Sequence, residues 1–319
     1  MQRHLMISDG HLSLKLCPSE IEVIRRWLIW LLGENSRAGQ AIDWHYDQQR
    51  ERHMRQTIEQ ALRDGPHDGF ISLGDNTMDW QYEGLATPRE IEEALRFRIL
   101  PEDQWGIRKE QQIWVQGNHD TGWGNSTWCS FREHPDQHKF DIFELVYGPS
   151  YGRRPLSGVF DFIWLSTVHV ETLVSRAGIT SDVKLDFLVA KQKEELEFLD
   201  RTLSETSKKF FLGIHDPGSF FSPQLQEILN HHRDRLVASF TGHIHAWWLM
   251  EFIKFCRPSF RPVFRKYRIQ FIPSIWGVVL PFPFWPTGAG WAQLLLDEHH
   301  ALLEIHSIGR RQPSTIRLS

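Results

Sequence analysis

The sequence predicts an α/β fold in a single domain, and three observations predict it. Short apolar runs recur from residue 4 to residue 241, most of them ending in glycine or a small polar residue. Amphipathic helical stretches lie between several of them. No internal repeat, low-complexity tract or clear linker divides the 319 residues. Strand and helix in alternation, over a chain of this length, build a largely parallel sheet covered by helices.

The strands come in order. "HLMIS" (4–8) leads into Asp9, Gly10 and His11, and "GFISL" (69–73) leads into Gly74, Asp75 and Asn76. "QIWVQ" (112–116) leads into the quartet Gly117, Asn118, His119 and Asp120. "VFDFIWLST" (159–167) is a further strand. "KFFLGI" (209–214) ends at His215, Asp216 and Pro217, and "LVASFT" (236–241) ends at Gly242, His243, Ile244 and His245. Runs of four to eight residues, β-branched and aromatic and bounded by glycine, are the pattern of buried strands.

Two helices are predicted between them. Residues 47–63 carry Met54, Ile58 and Leu62 at a spacing of four. Residues 184–203 carry Leu185, Leu188, Val189, Leu196, Leu199 and Leu203 on an apolar face. Insertions are expected near 17–55 and 120–158. A β-rich C-terminal part follows at 260–310, where "RIQFIPSIWGVV", "GWAQLLLD" and "ALLEIHSI" read as a meander completing a second sheet.

Composition excludes several classes. Hydrophobic residues at 41% and charged residues at 24% fit a soluble globular protein. A net charge of −4 supplies no global basic field for nucleic acid. Cys17, Cys129 and Cys256 have no CxxC spacing, which argues against a disulfide framework and against a thiolate metal site. The N-terminal "MQRHLMISDGHL" lacks the apolar stretch of a signal peptide, and no run reaches the ~20 apolar residues of a membrane span. A cytoplasmic protein is the expectation.

The polar residues at the strand ends are of one chemical kind: aspartate, asparagine and histidine. In open α/β sheets, ligands bind beyond the carboxyl ends of the strands. Oxygen and imidazole donors without thiolate suit manganese, iron, zinc or nickel. An aspartate between two cations can bridge them with its two oxygens. The order "DGH" (9–11), "GD" (74–75), "GNHD" (117–120), "H" in "GIHDP" (215) and "GHIH" (242–245) resembles the calcineurin-like metallophosphoesterase superfamily. Each block alone is weak. A glycine-aspartate pair is nearly meaningless, Asp9 alone would be a turn residue, and a lone His-x-His is more often surface than ligand. Five blocks in the right order, each after a strand, carry the resemblance together.

The resemblance implies a two-sheet β-sandwich flanked by helices in four layers. It implies two divalent metal ions, with manganese expected and iron, zinc or nickel as alternatives. Asp9, His11 and His245 would hold one metal. Asn118, His215 and His243 would hold the other, with Asp75 between them. His119 would contact the phosphate and help the leaving oxygen depart. Asp79 and Asp120 are both candidates to orient His119. Family members often hold a carboxylate three residues after the bridging aspartate, but Met78 stands there and the aspartate comes one position later.

The implied activity is metal-dependent hydrolysis of a phosphodiester or phosphomonoester by an activated water. The expected partner is a small phosphorylated molecule such as a soluble nucleotide. Alternatives are a lipid-linked phosphate at a membrane surface, a nuclease, or a metal-binding scaffold without turnover. The apolar stretch 21–33, with Ile24, Trp27, Leu28 and Leu31 on one helical face, is either a buried helix or a lid on a membrane surface. The segment 256–286 interleaves Arg257, Arg261, Arg265, Lys266 and Arg268 with aromatic residues, as a solvated hairpin face or a basic patch near the phosphate site. Phe282, Phe284 and Trp285 would wall a pocket. His45 in "DWHYD" is a candidate substrate contact, whereas the pairs His231–His232 and His299–His300 read as surface or turn residues.

Overall fold

The computed structural model describes residues 1–8, 57, 59–61, 63–76, 107–117, 120, 137–166, 183–242, 258–274, 290–307 and 312–319. The apolar stretch 21–33, the three cysteines and the aromatic loop 282–285 lie outside these residues.

The predicted runs form strands with almost the predicted bounds: β1 (Gln2–Ile7), β2 (Gly69–Leu73), β3 (Gln112–Val115), β5 (Phe160–Leu165), β6 (Lys209–Ile214) and β7 (Leu236–Thr241). An edge strand β4 (Gly152–Pro155) precedes β5, and β8 (Ile269–Phe271) follows β7. The chain ends in β9 (Gly290–Leu296), β10 (Ala301–Ser307) and β11 (Ser314–Arg317). Two mixed sheets result. The first has the order β11-β10-β9-β1-β2-β3 and the second β4-β5-β6-β7-β8. Strands β1, β2 and β3 are parallel, as are β5 to β8, while β4, β9, β10 and β11 join antiparallel.

The sheets pack face to face. Met6, Ile71, Leu73, Ile113 and Val115 of the first meet Phe162, Phe211, Phe240 and Trp164 of the second in one buried core. The outer face of the second sheet buries Ile163, Leu165, Leu212 and Ile214 under α2 (Val183–Glu205), α3 (Pro223–His231) and α4 (Phe260–Lys266). On the first sheet, α1 (Gln137–Tyr147) places Tyr147 against Trp114, with ring centroids 4.9 Å apart, and Trp114 rests on Phe70. The helical stretch around 57–63 buries Thr57 and Ala61. Helices therefore flank both sheets, and the fold is the predicted two-sheet α/β sandwich.

Three expectations change. The C-terminal strands do not form one meander. The "IQF" strand extends the second sheet in parallel, while β9 and β10 complete the first beside β1. The basic segment is no hairpin: residues 260–266 are helix α4, whose Phe264 is drawn into the outer core. Arg268 donates to the carbonyls of Leu236 (3.0 Å) and Val237 (3.4 Å), at the start of β7. That is the end opposite the ligand-bearing loops, so Arg268 is no part of a phosphate site. Third, Val189 is 48% exposed, whereas Leu196, Leu199 and Leu203 are buried.

Candidate metal centre

The parallel strands set the geometry. Strands β1, β2 and β3 run the same way, as do β6 and β7, so each delivers the residues after it to its own sheet's carboxyl edge. The two edges converge. His215, following β6, places Nε2 2.9 Å from Oδ2 of Asp75, following β2. The backbone N–H of Gly242, following β7, donates to the carbonyl of His215 at 3.1 Å. Ser8, the last residue before Asp9, forms an isolated bridge with Ser274, beyond β8.

The turn after β2 is conformationally demanding. Gly74 has φ +93° and Asp75 φ +50°, both in the left-handed region. Aspartate tolerates that region better than most side chains, and such conformations collect at functional sites. Gly74 is required for a second reason: a Cβ there would lie 2.5 Å from the His215 ring. Gly117 is more constrained still. A Cβ on it would stand 2.1 Å from both the backbone nitrogen and Oδ1 of Asp75. The glycines of "GD" and "GNHD" are thus the contact points at which loops from β2, β3 and β6 close on one another.

The hydrogen bond of His215 fixes its tautomer. Nδ1 lies 2.6 Å from the carbonyl of Leu73, which can only accept, so Nδ1 carries the proton. In its neutral form the ring turns the lone pair of Nε2 toward a carboxylate oxygen of Asp75. Two lone pairs 2.9 Å apart call for positive charge between or beside them, as a proton or a cation. Nitrogen and oxygen ligands stand about 2.0–2.2 Å from a divalent ion, so adjacent ligands lie about 3 Å apart in octahedral and about 3.4 Å apart in tetrahedral coordination. Both residues are almost wholly buried, with His215 at 3% and Asp75 at 1% exposure. The donor set, its spacing and the anchored imidazole fit a divalent cation.

Asp120, the last member of the quartet, is fully buried. Its Oδ2 accepts from the backbone N–H of Gly117 at 2.8 Å and from Nδ2 of Asn76 at 3.0 Å. Asn76 also donates to the carbonyl of Val115 at 3.0 Å, and its Oδ1 accepts from the hydroxyl of Ser72. In the sequence Asn76 reads only as a turn residue after the aspartate of "GD", with no role assigned to it. Asp9, His11, Asp79, Asn118, His119, His243 and His245 lie outside the described residues, as does His45. Among the described residues no group of three or more His, Cys, Asp or Glu gathers around a metal position. Among them, no helix is long and apolar enough to cross a membrane. His299 and His300 form the expected turn, both donating backbone N–H to Asp297 at 2.7 Å.

A two-sheet sandwich flanked by helices is consistent with the metallophosphoesterase fold. The family model of the calcineurin-like phosphoesterases matches residues 39–247, more than half of the chain, and the chain belongs to that family. No curated protein matches it by sequence. Among solved structures it is similar to "GAP50 the anchor in the inner membrane complex of Plasmodium", at 12% identity and a TM-score of 0.47, over 100% of this chain and 88% of that one. It is also similar to a single mutant of Vps29 from Entamoeba histolytica, at 11% identity and a TM-score of 0.32, over 99% and 98% of the two chains. Neither likeness bears on function. Family membership supports, at a coarse level, a hydrolase of phosphoric esters in a family that typically binds two divalent metals.

Proposed function

We propose that this chain hydrolyses a phosphodiester or phosphomonoester of a small soluble molecule at a dinuclear metal centre. The observation that carries the reading is the approach of His215 to Asp75 from opposite sheets, with Nδ1 committed to Leu73 and Nε2 turned to the carboxylate. Asp75 would lie between two divalent cations, manganese being the first expectation. Asn118, His215 and His243 would complete one side, and Asp9, His11 and His245 the other. Bound there, such cations supply Lewis acidity and a nucleophile usable at neutral pH. The matched family span takes in the later four motif blocks but begins after Asp9 and His11. Support for those two comes from β1, whose carboxyl end runs beside that of β2.

The chain's own groups divide the remaining work. The bond from His215 to Leu73 holds one ligand in a single tautomer and orientation. His119 is the group to stabilise or protonate the departing oxygen, a contribution of about 10²–10⁴-fold where it operates. Asp120 holds the loop that carries Asn118 and His119, and Asp79 remains the second candidate to orient His119. The sparse cysteines favour a cytoplasmic site of action.

The test is hydrolysis of bis(p-nitrophenyl) phosphate beside p-nitrophenyl phosphate with Mn²⁺, against an Asp75→Ala control. Turnover by the natural chain, with loss of both turnover and metal content in the control, is expected. Equal turnover and metal content in the two proteins would remove the dinuclear reading. Preference between the esters separates diesterase from phosphatase. Silence on both, with metal bound, would move the search to lipid-linked phosphates presented in vesicles.

A further inference from the structure

We infer that Asn76 is a positioning residue that locks the loop bearing Asp75 to the loop bearing Asn118 and His119, so that the two halves of the centre keep one separation. The inference rests on the metal-centre reading above and concerns a residue that the motif pattern does not include. Asn76 is 2% exposed and uses every hydrogen-bonding atom of its carboxamide. One N–H goes to the carbonyl of Val115 at 3.0 Å, the last residue of β3. The other goes to Oδ2 of Asp120 at 3.0 Å. The carbonyl oxygen accepts from Ser72, inside β2. Asp120 Oδ2 then reaches back to the N–H of Gly117 at 2.8 Å. One side chain therefore joins β2, its exit turn, the end of β3 and the loop after β3. Ser72, Asn76 and Asp120 are all buried to within 2% of full coverage.

Burial makes the lock stiff. A buried amide that loses its partners is left unsatisfied away from water, so the network resists partial opening. Its neighbours explain what the stiffness serves. Asp75, one residue before Asn76, is held at φ +50°, a conformation that relaxes unless its surroundings fix it. Gly117, one residue before Asn118, touches the backbone and Oδ1 of Asp75 so closely that no side chain fits. A shift of either loop would move Asp75 against Asn118. Groups behind metal ligands typically contribute about 10- to 100-fold to metal affinity or activity.

The test compares the natural chain with Asn76→Ala, Ser72→Ala and Asn76→Asp. Each is measured for Mn²⁺ affinity by competition with a chromogenic chelator, for kcat at saturating metal, and for Tm. Asn76→Ala is expected to bind Mn²⁺ about 10- to 100-fold more weakly. Asn76→Asp sets two carboxylates against each other and should bind more weakly still. In Asn76→Ala, kcat at saturating Mn²⁺ should fall together with the affinity, whereas a mere loss of packing would lower Tm alone. Ser72→Ala removes one bond only and gives the answer if Asn76→Ala does not fold, with a several-fold loss expected. Natural metal affinity and kcat in Asn76→Ala or, failing that, in Ser72→Ala would overturn the inference, whatever happens to Tm. A natural chain that takes up no Mn²⁺ would overturn the metal-centre reading and this inference with it.

Discussion

At the scale of single residues, the centre is organised by what glycine leaves out. Gly117 permits the loop after β3 to touch Asp75 because it has no Cβ; a methyl group there would overlap the backbone nitrogen of Asp75 at 2.1 Å. Backbone cannot yield as a long side chain can. Gly117→Ala must therefore separate the loops of β2 and β3, at a cost of at least the ~1–3 kcal/mol typical of overpacking. The expected outcome is a folded protein with lower Tm and strongly reduced metal content, read by thermal unfolding and by elemental analysis after dialysis. Natural metal content in that variant would show that the contact is dispensable. This residue was legible in the sequence as part of "GNHD", and so were Asp75 and His215, because their types and order recur as a pattern. Asn76 was not legible. Its importance lies in partners drawn from β2, from the end of β3 and from a loop more than forty positions away, and no local spacing encodes them.

At the scale of elements, strands are legible where an apolar run marks them and not at the exposed edges. Every residue of β2, β5 and β7 is buried, and each run stands out as continuous apolar sequence. The edge strands β4, "GRRP", and β11, "STIR", expose most of their side chains and carry no such signal. Helix ends behave similarly. The C-terminus of α2 has no glycine at Glu205 or just beyond it to stop the helix and satisfy its last carbonyls. Arg235, some thirty residues later, does this instead: its guanidinium donates to the carbonyl of Leu203 at 2.5 Å and to that of Thr206. It also donates to Nδ1 of His232 at 2.7 Å, which keeps that ring neutral; burial and the adjacent positive charge both lower the affinity of His232 for a proton. Arg235→Leu should therefore uncover the end of α2 and cost about 2 kcal/mol, the range for stranding buried hydrogen-bonding groups. Urea unfolding is the measurement, and a lower midpoint with unchanged slope is expected. Arg235 lies at the amino edge of the second sheet, so ester hydrolysis at 25 °C should be unaltered. A variant as stable as the natural chain would show that water caps α2 equally well.

At the scale of the whole molecule, the two edges of the sandwich have different jobs. The carboxyl edge gathers the centre. Buried histidines are held neutral away from it, two of them, His4 and His67, at the amino edge. His4, on β1 beside Gly69, is buried, and burial first, helped by Arg154 and His67, lowers its pKa to about 4; Asp68 pulls the other way without prevailing. His67 is lowered by burial, although the carbonyl of Ala61 accepts from its ring at 2.9 Å. His306, on the outer face of the first sheet, is stacked on Trp291 at 4.8 Å and is lowered by burial against the opposing pull of Asp64 and Glu304. Each group has a lower pKa in the folded chain than the ordinary value of 6.5. Above that value both states are neutral and nothing is lost. As pH falls below 6.5 the unfolded chain takes up protons that the folded chain refuses, so stability declines, and for His4 the decline ends only near pH 4. At about 1.4 kcal/mol per tenfold difference in proton affinity, His4 alone can remove about 3 kcal/mol over that range. Tm should therefore fall steadily from pH 7 to pH 5, before most carboxylates titrate. His4→Gln, which has no proton to gain, should show a shallower slope over the same interval even if its Tm at pH 7 is lower. Parallel slopes in the two proteins would show that the acid sensitivity arises elsewhere. Because His4 belongs to the edge opposite Asp75 and His215, metal binding at pH 7 should survive the substitution, which separates acid stability from the chemistry of the centre.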